Sequence, residues 1–319
     1  MPELPEVETI RRRLHPDLVG RTVRDLRVLD RTVSRQDEAE LRGMLVGRAV
    51  VGTARRGKWL IIDLGDVLMV VHLRMTGRLI WLPDEEERGR RPRFTVGLDD
   101  GRTLHFFDVR RFGGLWALPT AAAGEFFAGL GAEPLEDGFT VAHLRELLAG
   151  RRAPLKSFLT DQRRLAGVGN IYADEALFRA RLHPLRPGGS VGPREAGRLH
   201  AAVIQTLRLG IEHEGSSIES FVDPAGSRGH FQEILNVYQR TGEPCRVCGA
   251  PIRRIVVGGR STHFCPRCQP RRGMKLRHVP DEPPASADRR ISAGSPRRWP
   301  AIAPAATAEH VRGGQEASD

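Results

Sequence analysis

The chain of 319 residues is 40% hydrophobic and 28% charged, enough apolar content for two domains and a small third, which excludes disorder throughout. The best membrane-span candidate, Trp59 to Leu73, is interrupted by Asp63 and Asp66, and the acidic start MPELPEVET has no secretory apolar run. Fifty Lys and Arg against 39 Asp and Glu leave a formal +11, which points to a polyanionic partner, nucleic acid before membrane.

The first predicted element is a short helix over Val7 to Leu14, with Val7, Ile10 and Leu14 on one face. Pro2 and Pro5 sit at its start, where proline is tolerated, and Glu3 and Glu6 suit the positive end of the helix dipole. Residues 22–30, 49–64, 67–82 and 93–107 read as strands. The run VLMVVHL is apolar on successive residues, as in a strand packed on both faces, and Asp99-Asp100-Gly101 marks a hairpin. Helical periodicity takes over at 140–149, 153–160, 171–181 and 193–213, broken by GVGN and HPLRPGG. The stretch SSIESFVDPAGSRG (216–229) suits a mobile lid.

All four cysteines fall in one window, Cys245, Cys248, Cys265 and Cys268: C-x2-C, sixteen residues, C-x2-C. That spacing predicts a closed tetrahedral site for one structural Zn2+; two disulfides are the competing reading and need an oxidising compartment that nothing here signals. Between the pairs, GAPIRRIVVGGRSTHF predicts a hairpin with Gly258-Gly259 at the tip and Arg260 projecting from it, as a phosphate or minor-groove contact or as a solvated arginine.

The second residue, Pro2, becomes a secondary amine if Met1 is removed, as small second residues permit. An α-amino group titrates well below a lysine, and a neutral amine can attack a sugar carbon and form an iminium ion, with Glu3 beside it to exchange a proton. An ordinary helix start explains the same residues. In full, PELPEVETIRR (2–12) resembles the N-terminal signature of the formamidopyrimidine-DNA glycosylase family, bacterial repair enzymes for oxidised purines. The resemblance recurs in RRGKWL (55–60), HLRMTG (72–77), DVRRFGG (108–114), GVGNIYADEALF (167–178), GEPCRVCG (242–249) and FCPRCQ (264–269). The related endonuclease VIII usually starts PEGPE and prefers oxidised pyrimidines.

The resemblance implies roles residue by residue. Pro2 matches the nucleophile that attacks C1′ and leaves a Schiff base, Glu3 the proton donor, Lys58 the lysine of β-elimination and Arg260 the arginine of δ-elimination. Glu6 matches a second glutamate near the site. A target base must leave the duplex before its sugar can be attacked, and Met75, Arg110 and Phe112 match the residues that fill the gap and hold the orphaned partner. By residue type alone, Met75 and Phe112 would be core. Asn170 and Lys156 match phosphate-binding positions. Arg151 stands where a lysine is usual and Arg91 where histidine is frequent. Gln239 replaces a usual glycine.

The expected fold class is α+β and multidomain. A catalytic β-sandwich with an N-terminal helix spans 1–130, a helix-two-turn-helix DNA-binding domain 131–238, a zinc ribbon 239–273 and a disordered tail 274–319. The expected activity is that of a bifunctional DNA glycosylase and abasic-site lyase for oxidised purines, acting as a monomer on duplex DNA in the bacterial cytoplasm at the nucleoid. The rivals are an enzyme of the same fold that prefers oxidised pyrimidines and a non-catalytic damage-binding protein.

Overall fold

Helix α1 (Leu4–Leu18) starts three residues earlier than periodicity predicts and runs four further, through Pro16. Pro5 falls in its first turn, where a missing N–H leaves no bond unmade. In this computed structural model, which describes residues 1–81, 91–218 and 221–271, α1 bridges two hydrophobic cores. Val7, Ile10 and Leu14 are fully buried in the first, whereas Leu4 belongs to the second. Leu4 N–H donates to Gly167 O at 3.1 Å, so the residues just before α1 sit where the two cores meet.

The first core lies in a sandwich of two antiparallel four-stranded sheets. The strands are β1 (Val23–Val28), β2 (Gly52–Arg56), β3 (Trp59–Asp63), β4 (Val67–His72), β5 (Gly77–Ile80), β6 (Phe94–Leu98), β7 (Thr103–Asp108) and β8 (Gly114–Pro119). One sheet has the order β1-β6-β7-β5 and the other β2-β3-β4-β8. Two of the predicted strands are each a pair. Residues 49–64 fold back at Gly57, whose φ is +57°, and 67–82 break at a turn closed by Gly77 N–H to Leu73 O at 2.9 Å. That turn sends β4 and β5 into different sheets. Helix α2 (Glu38–Leu45), capped by Asp37, and β8 were not anticipated. Strand β4 is buried on both faces as expected: Val67, Met69 and Val71 enter the main core. Leu68 and Val70 pack with Trp59, Trp116 and the phenylalanines of α3 (Ala123–Phe127).

The helical region holds α4 (Val141–Leu148), α5 (Leu155–Thr160), α6 (Asn170–Ala180) and α7 (Pro193–Glu212), within a residue or two of expectation. Its core centres on Tyr172, stacked on Phe231 with centroids 4.9 Å apart. Strands β9 (Arg253–Val257) and β10 (Arg260–Phe264) form the ribbon hairpin. Its two-residue tip, Gly258-Gly259, has φ of +58° and +75°, the left-handed pair a tight hairpin turn needs. The expected tail at 274–319 lies outside the described residues. No described helix is long and apolar enough to cross a membrane.

Candidate active site and zinc centre

Pro2 is buried behind Met1, and Glu3 is 1% exposed. The Glu3 carboxylate crosses to the other core and accepts from Ile171 N–H at 3.0 Å, so it caps the first turn of α6. Gly169 makes this approach possible, because a Cβ there would lie 2.2 Å from Glu3 Cδ. Glu6 ties three segments together. Its Oε2 accepts from Glu3 N–H at 2.7 Å, and its Oε1 from the Tyr172 hydroxyl at 2.7 Å and Ser216 N–H at 2.8 Å. Burial, followed by the charge of Glu3, raises the Glu6 pKa against these bonds.

Lys58 is the second residue of the β2–β3 turn and is 7% exposed. Burial lowers its pKa below the ordinary 10.5; Glu3 and Glu6 oppose that shift, and Arg260 and Arg74 add to it. The turn itself is held by Glu133, which accepts from Arg55 at 2.6 Å, Arg56 at 3.0 Å and Gly57 N–H at 2.8 Å. Sequence reasoning missed Glu133 because it lies in a different stretch of chain with no local pattern to mark it. Lys58 lines a cavity of about 310 Å³ with Met1, His72, Asn170 and Arg260. Met1, Asn170 and Arg260 also line a neighbouring cavity of about 330 Å³, together with Glu3, Met75 and Ser216. Asn170 is fixed by donating from Nδ2 to Ser261 O at 2.9 Å, which brings the ribbon tip to this junction. Three buried oxygens of residues lining the second cavity have no hydrogen-bond partner among the described residues: Glu3 Oε2, Asn170 Oδ1 and Ser216 Oγ. Buried polar atoms are nearly always paired, so these three point to a ligand.

Met75, Arg110 and Phe112 converge on the surface. Arg110 Nη1 lies 3.0 Å from Met75 Sδ, and its guanidinium sits 4.7 Å from the centroid of the Phe112 ring, which is 45% exposed.

Other expected contacts fall elsewhere. Lys156 is 1% exposed, and its ammonium donates to Asp174 at 2.6 Å and Asn170 O at 2.7 Å. It therefore faces inward, against the expectation of a phosphate contact, because a buried carboxylate claims it. Breaking such a pair costs about 3–5 kcal/mol. The other oxygen of Asp174 accepts from His263 N–H at 2.8 Å, so the pair braces the ribbon. Arg151 is exposed, with Nε 3.3 Å from Leu147 O at the end of α4, and Arg91 is exposed beside undescribed residues. Gln239 keeps the left-handed backbone its position demands, with φ of +58°. The predicted lid is well tied where described: the Ser217 hydroxyl donates to Phe221 O at 2.7 Å and accepts from Gly229 N–H at 2.9 Å.

The four cysteine sulfurs lie within 4.8 Å of one another, with Cys245–Cys268 at 3.9 Å and Cys248–Cys265 at 3.4 Å. Zn–S bonds of about 2.3 Å in a tetrahedron put sulfurs about 3.8 Å apart, so the set fits one zinc ion and is too open for disulfides. The site is structural: four thiolates leave zinc no open position.

A sandwich and a helical domain that meet at the chain's N-terminus, with a zinc ribbon closing the junction, define the class of helix-two-turn-helix DNA glycosylases. Three family models match in order. They are the formamidopyrimidine-DNA glycosylase N-terminal domain over residues 1–115, the H2TH domain of the same enzyme over 130–222, and the zinc finger found in FPG and IleRS over 242–271. The formamidopyrimidine-DNA glycosylase of Symbiobacterium thermophilum is 45% identical over 273 residues, 85% of this chain and 90% of the relative. The MutM (FPG) structure from Thermus thermophilus is 44% identical, with a TM-score of 0.76, over 84% of this chain and 98% of that one. A structure of MutM with carbocyclic 8-oxo-G containing DNA is 36% identical, with a TM-score of 0.77, over 85% and 100%. The chain belongs to the formamidopyrimidine-DNA glycosylase family, whose members are DNA glycosylases and abasic-site lyases.

Proposed function

We propose that this chain excises oxidised purines from duplex DNA and then cuts the strand, working as a monomer in the bacterial cytoplasm at the nucleoid. The observation that carries the reading is the cavity lined by Met1 and Glu3, the residues on either side of Pro2, with its three unpartnered buried oxygens. Removal of Met1 frees the Pro2 nitrogen into the space Met1 fills. That nitrogen attacks C1′ of a nucleotide turned out of the duplex, the C1′–N9 bond breaks, and the base departs with a proton supplied through Glu3. The attacking nitrogen loses its proton, the C1′–O4′ bond opens as O4′ takes up a proton, and the resulting iminium acidifies C2′. Lys58, whose lowered pKa favours the neutral amine, takes the C2′ proton as the C3′–O bond breaks. Arg260, which lines both cavities, then assists loss of the 5′ phosphate as the C4′ proton leaves and the C5′–O bond breaks. Burial of the junction strengthens each charge interaction in it. Met75, Arg110 and Phe112 fill the vacated stack, and Asn170 with Arg151 and Arg91 contact phosphates. Lys156 braces the ribbon from within.

Retention of Pro2, Glu3 and Lys58 speaks against a non-catalytic binder. One added residue before Pro2 converts its nitrogen to an amide, which cannot form an iminium. The extended protein should bind lesion DNA yet neither excise the base nor become trapped on DNA by borohydride. Equal trapping of both forms would move the nucleophile to another amine, Lys58 first. Duplexes carrying 8-oxoguanine, formamidopyrimidine and thymine glycol separate the oxidised-purine reading from the pyrimidine one: faster release of thymine glycol would overturn it.

A further inference from the structure

The wedge residues reach solvent from two separate loops, and both loops end on one buried carboxylate. Asp108 is 1% exposed and closes β7, where its Cα partner across the sheet is Gly77 of β5. Its Oδ1 accepts the Thr76 hydroxyl, and Arg110 N–H divides its bond between that oxygen at 3.2 Å and Thr76 Oγ1 at 3.1 Å. Its Oδ2 accepts Gly113 N–H at 2.6 Å. The backbone carbonyl of Asp108 takes Arg93 Nε at 2.9 Å. Thr76 follows Met75 directly, Arg110 is itself a wedge residue, and Gly113 follows Phe112. The carboxylate therefore holds the Thr76 hydroxyl next to Met75 and the backbone N–H groups of Arg110 and Gly113, at or next to all three wedge residues, while touching none of their side chains.

We propose that Asp108, bridged by Thr76, is a positioning residue that makes Met75, Arg110 and Phe112 a single rigid insert, and so sets how strictly the protein reads the base opposite the lesion. The inference rests on the glycosylase reading above. Packing at the loop ends agrees with it. A Cβ on Gly113 would meet Asp108 Oδ2 at 3.0 Å and the Phe106 ring at 2.6 Å, and one on Gly77 would meet Leu73 O at 2.5 Å. Neither loop end has room to shift independently. Arg110 can hydrogen-bond an orphaned base edge only if its backbone is held, because a long side chain otherwise samples many rotamers. A plain turn cap would need one of these bonds. Sharing one oxygen between the two loops is what couples them.

The test uses full-length protein with Thr76→Val, Thr76→Ser and Asp108→Asn. Substrates are duplexes with 8-oxoguanine opposite cytosine or adenine, and a single-stranded oligonucleotide with a preformed abasic site, which needs no wedge. Thr76→Val deletes the shared hydroxyl at nearly constant volume. Asp108→Asn turns one acceptor into a donor that faces N–H or O–H. Both should slow duplex excision by about ten- to hundredfold, the cost of a small misplacement, and shrink the cytosine-to-adenine rate ratio. Cleavage of single-stranded abasic DNA should stay within about twofold, since its own groups are untouched. Thr76→Ser should restore rate and ratio. If Asp108→Asn does not fold, Thr76→Val carries the test alone. An unchanged rate ratio in Thr76→Val, or an equal loss on single-stranded abasic DNA, would overturn the positioning role. A wild-type protein that releases no lesion would instead overturn the activity reading, and the inference with it.

Discussion

The junction around Pro2 and the wedge around Phe112, which the proposed function joins in one reaction, are built in opposite ways. The junction draws on three segments remote in sequence: Glu3 from the start of α1, Ile171 and Asn170 from α6, and Ser261 beside Arg260 in the ribbon. Two of its buried ionisable groups have displaced pKa values, Glu6 upward and Lys58 downward. The wedge draws on two neighbouring loops that each pass between the two sheets and leaves its apolar ring exposed, with rigidity supplied from behind by Asp108. Chemistry on a sugar carbon needs groups that water does not screen, whereas insertion into a base stack needs a surface that can leave water quickly. A fault in any domain should therefore damage the junction, while only a local fault should damage the wedge.

Zinc removal is the severest way to test that contrast. The ribbon holds Arg260 and braces Asn170, and its shape depends on the metal. Chelation followed by a strand-cleavage assay should show cleavage reduced to background and DNA binding weakened. Circular dichroism and melting should report the sandwich and helical cores still folded. Full cleavage after verified zinc loss would break the comparison.

A smaller and more local effect is expected from Gly169→Ala. The new Cβ must displace the Glu3 carboxylate from the start of α6, because 2.2 Å is far inside contact distance. Lesion excision should fall about a hundredfold, as for a misplaced catalytic group. Cleavage of a preformed abasic site should fall less, because no base has to leave, and the cytosine-to-adenine ratio should hold because the wedge is untouched. Single-turnover rates on both substrates decide it.

The depressed Lys58 pKa gives a pH test with a defined sign. Between that folded-state value and 10.5 the unfolded chain binds more protons than the folded one, so stability should rise with pH across this window. Lys58→Met should flatten the rise in denaturant titrations made at successive pH values. The β-elimination rate should rise with pH along a limb whose midpoint lies below 10.5 in the native protein, and Lys58→Arg, which keeps charge but cannot act as a base, should lose that rise.

The smallest effect is expected at Gln239, which belongs to neither site. A non-glycine residue in left-handed backbone costs about 1–2 kcal/mol, and glycine returns part of that as added freedom of the unfolded chain, roughly 0.5–1 kcal/mol. Gln239→Gly should raise stability by about 0.5 kcal/mol, with excision and rate ratio unchanged.

Local chemistry made much of this molecule legible in one dimension. Helical periodicity broken by Gly- and Pro-bearing turns placed α4 to α7, the double glycine placed the ribbon tip, and the cysteine spacing placed the metal site. These features depend on neighbours a few residues apart, so the sequence carries them intact. The motif resemblance also pointed to Pro2, Glu3, Lys58 and Arg260 before any of them could be seen together. What the tertiary structure alone decided concerns groups that meet across the chain. Lys156 looked like a phosphate contact until Asp174 claimed it, and Met75 and Phe112 looked like core by residue type until the loops around Asp108 turned them outward. Glu133 had no signal that local patterning could use, and the motifs that contain Asp108 and Gly169 did not show which groups they would meet. Burial, close approach and the pairing of charges belong to distances in space, and a chain reaches those distances only after its cores have formed.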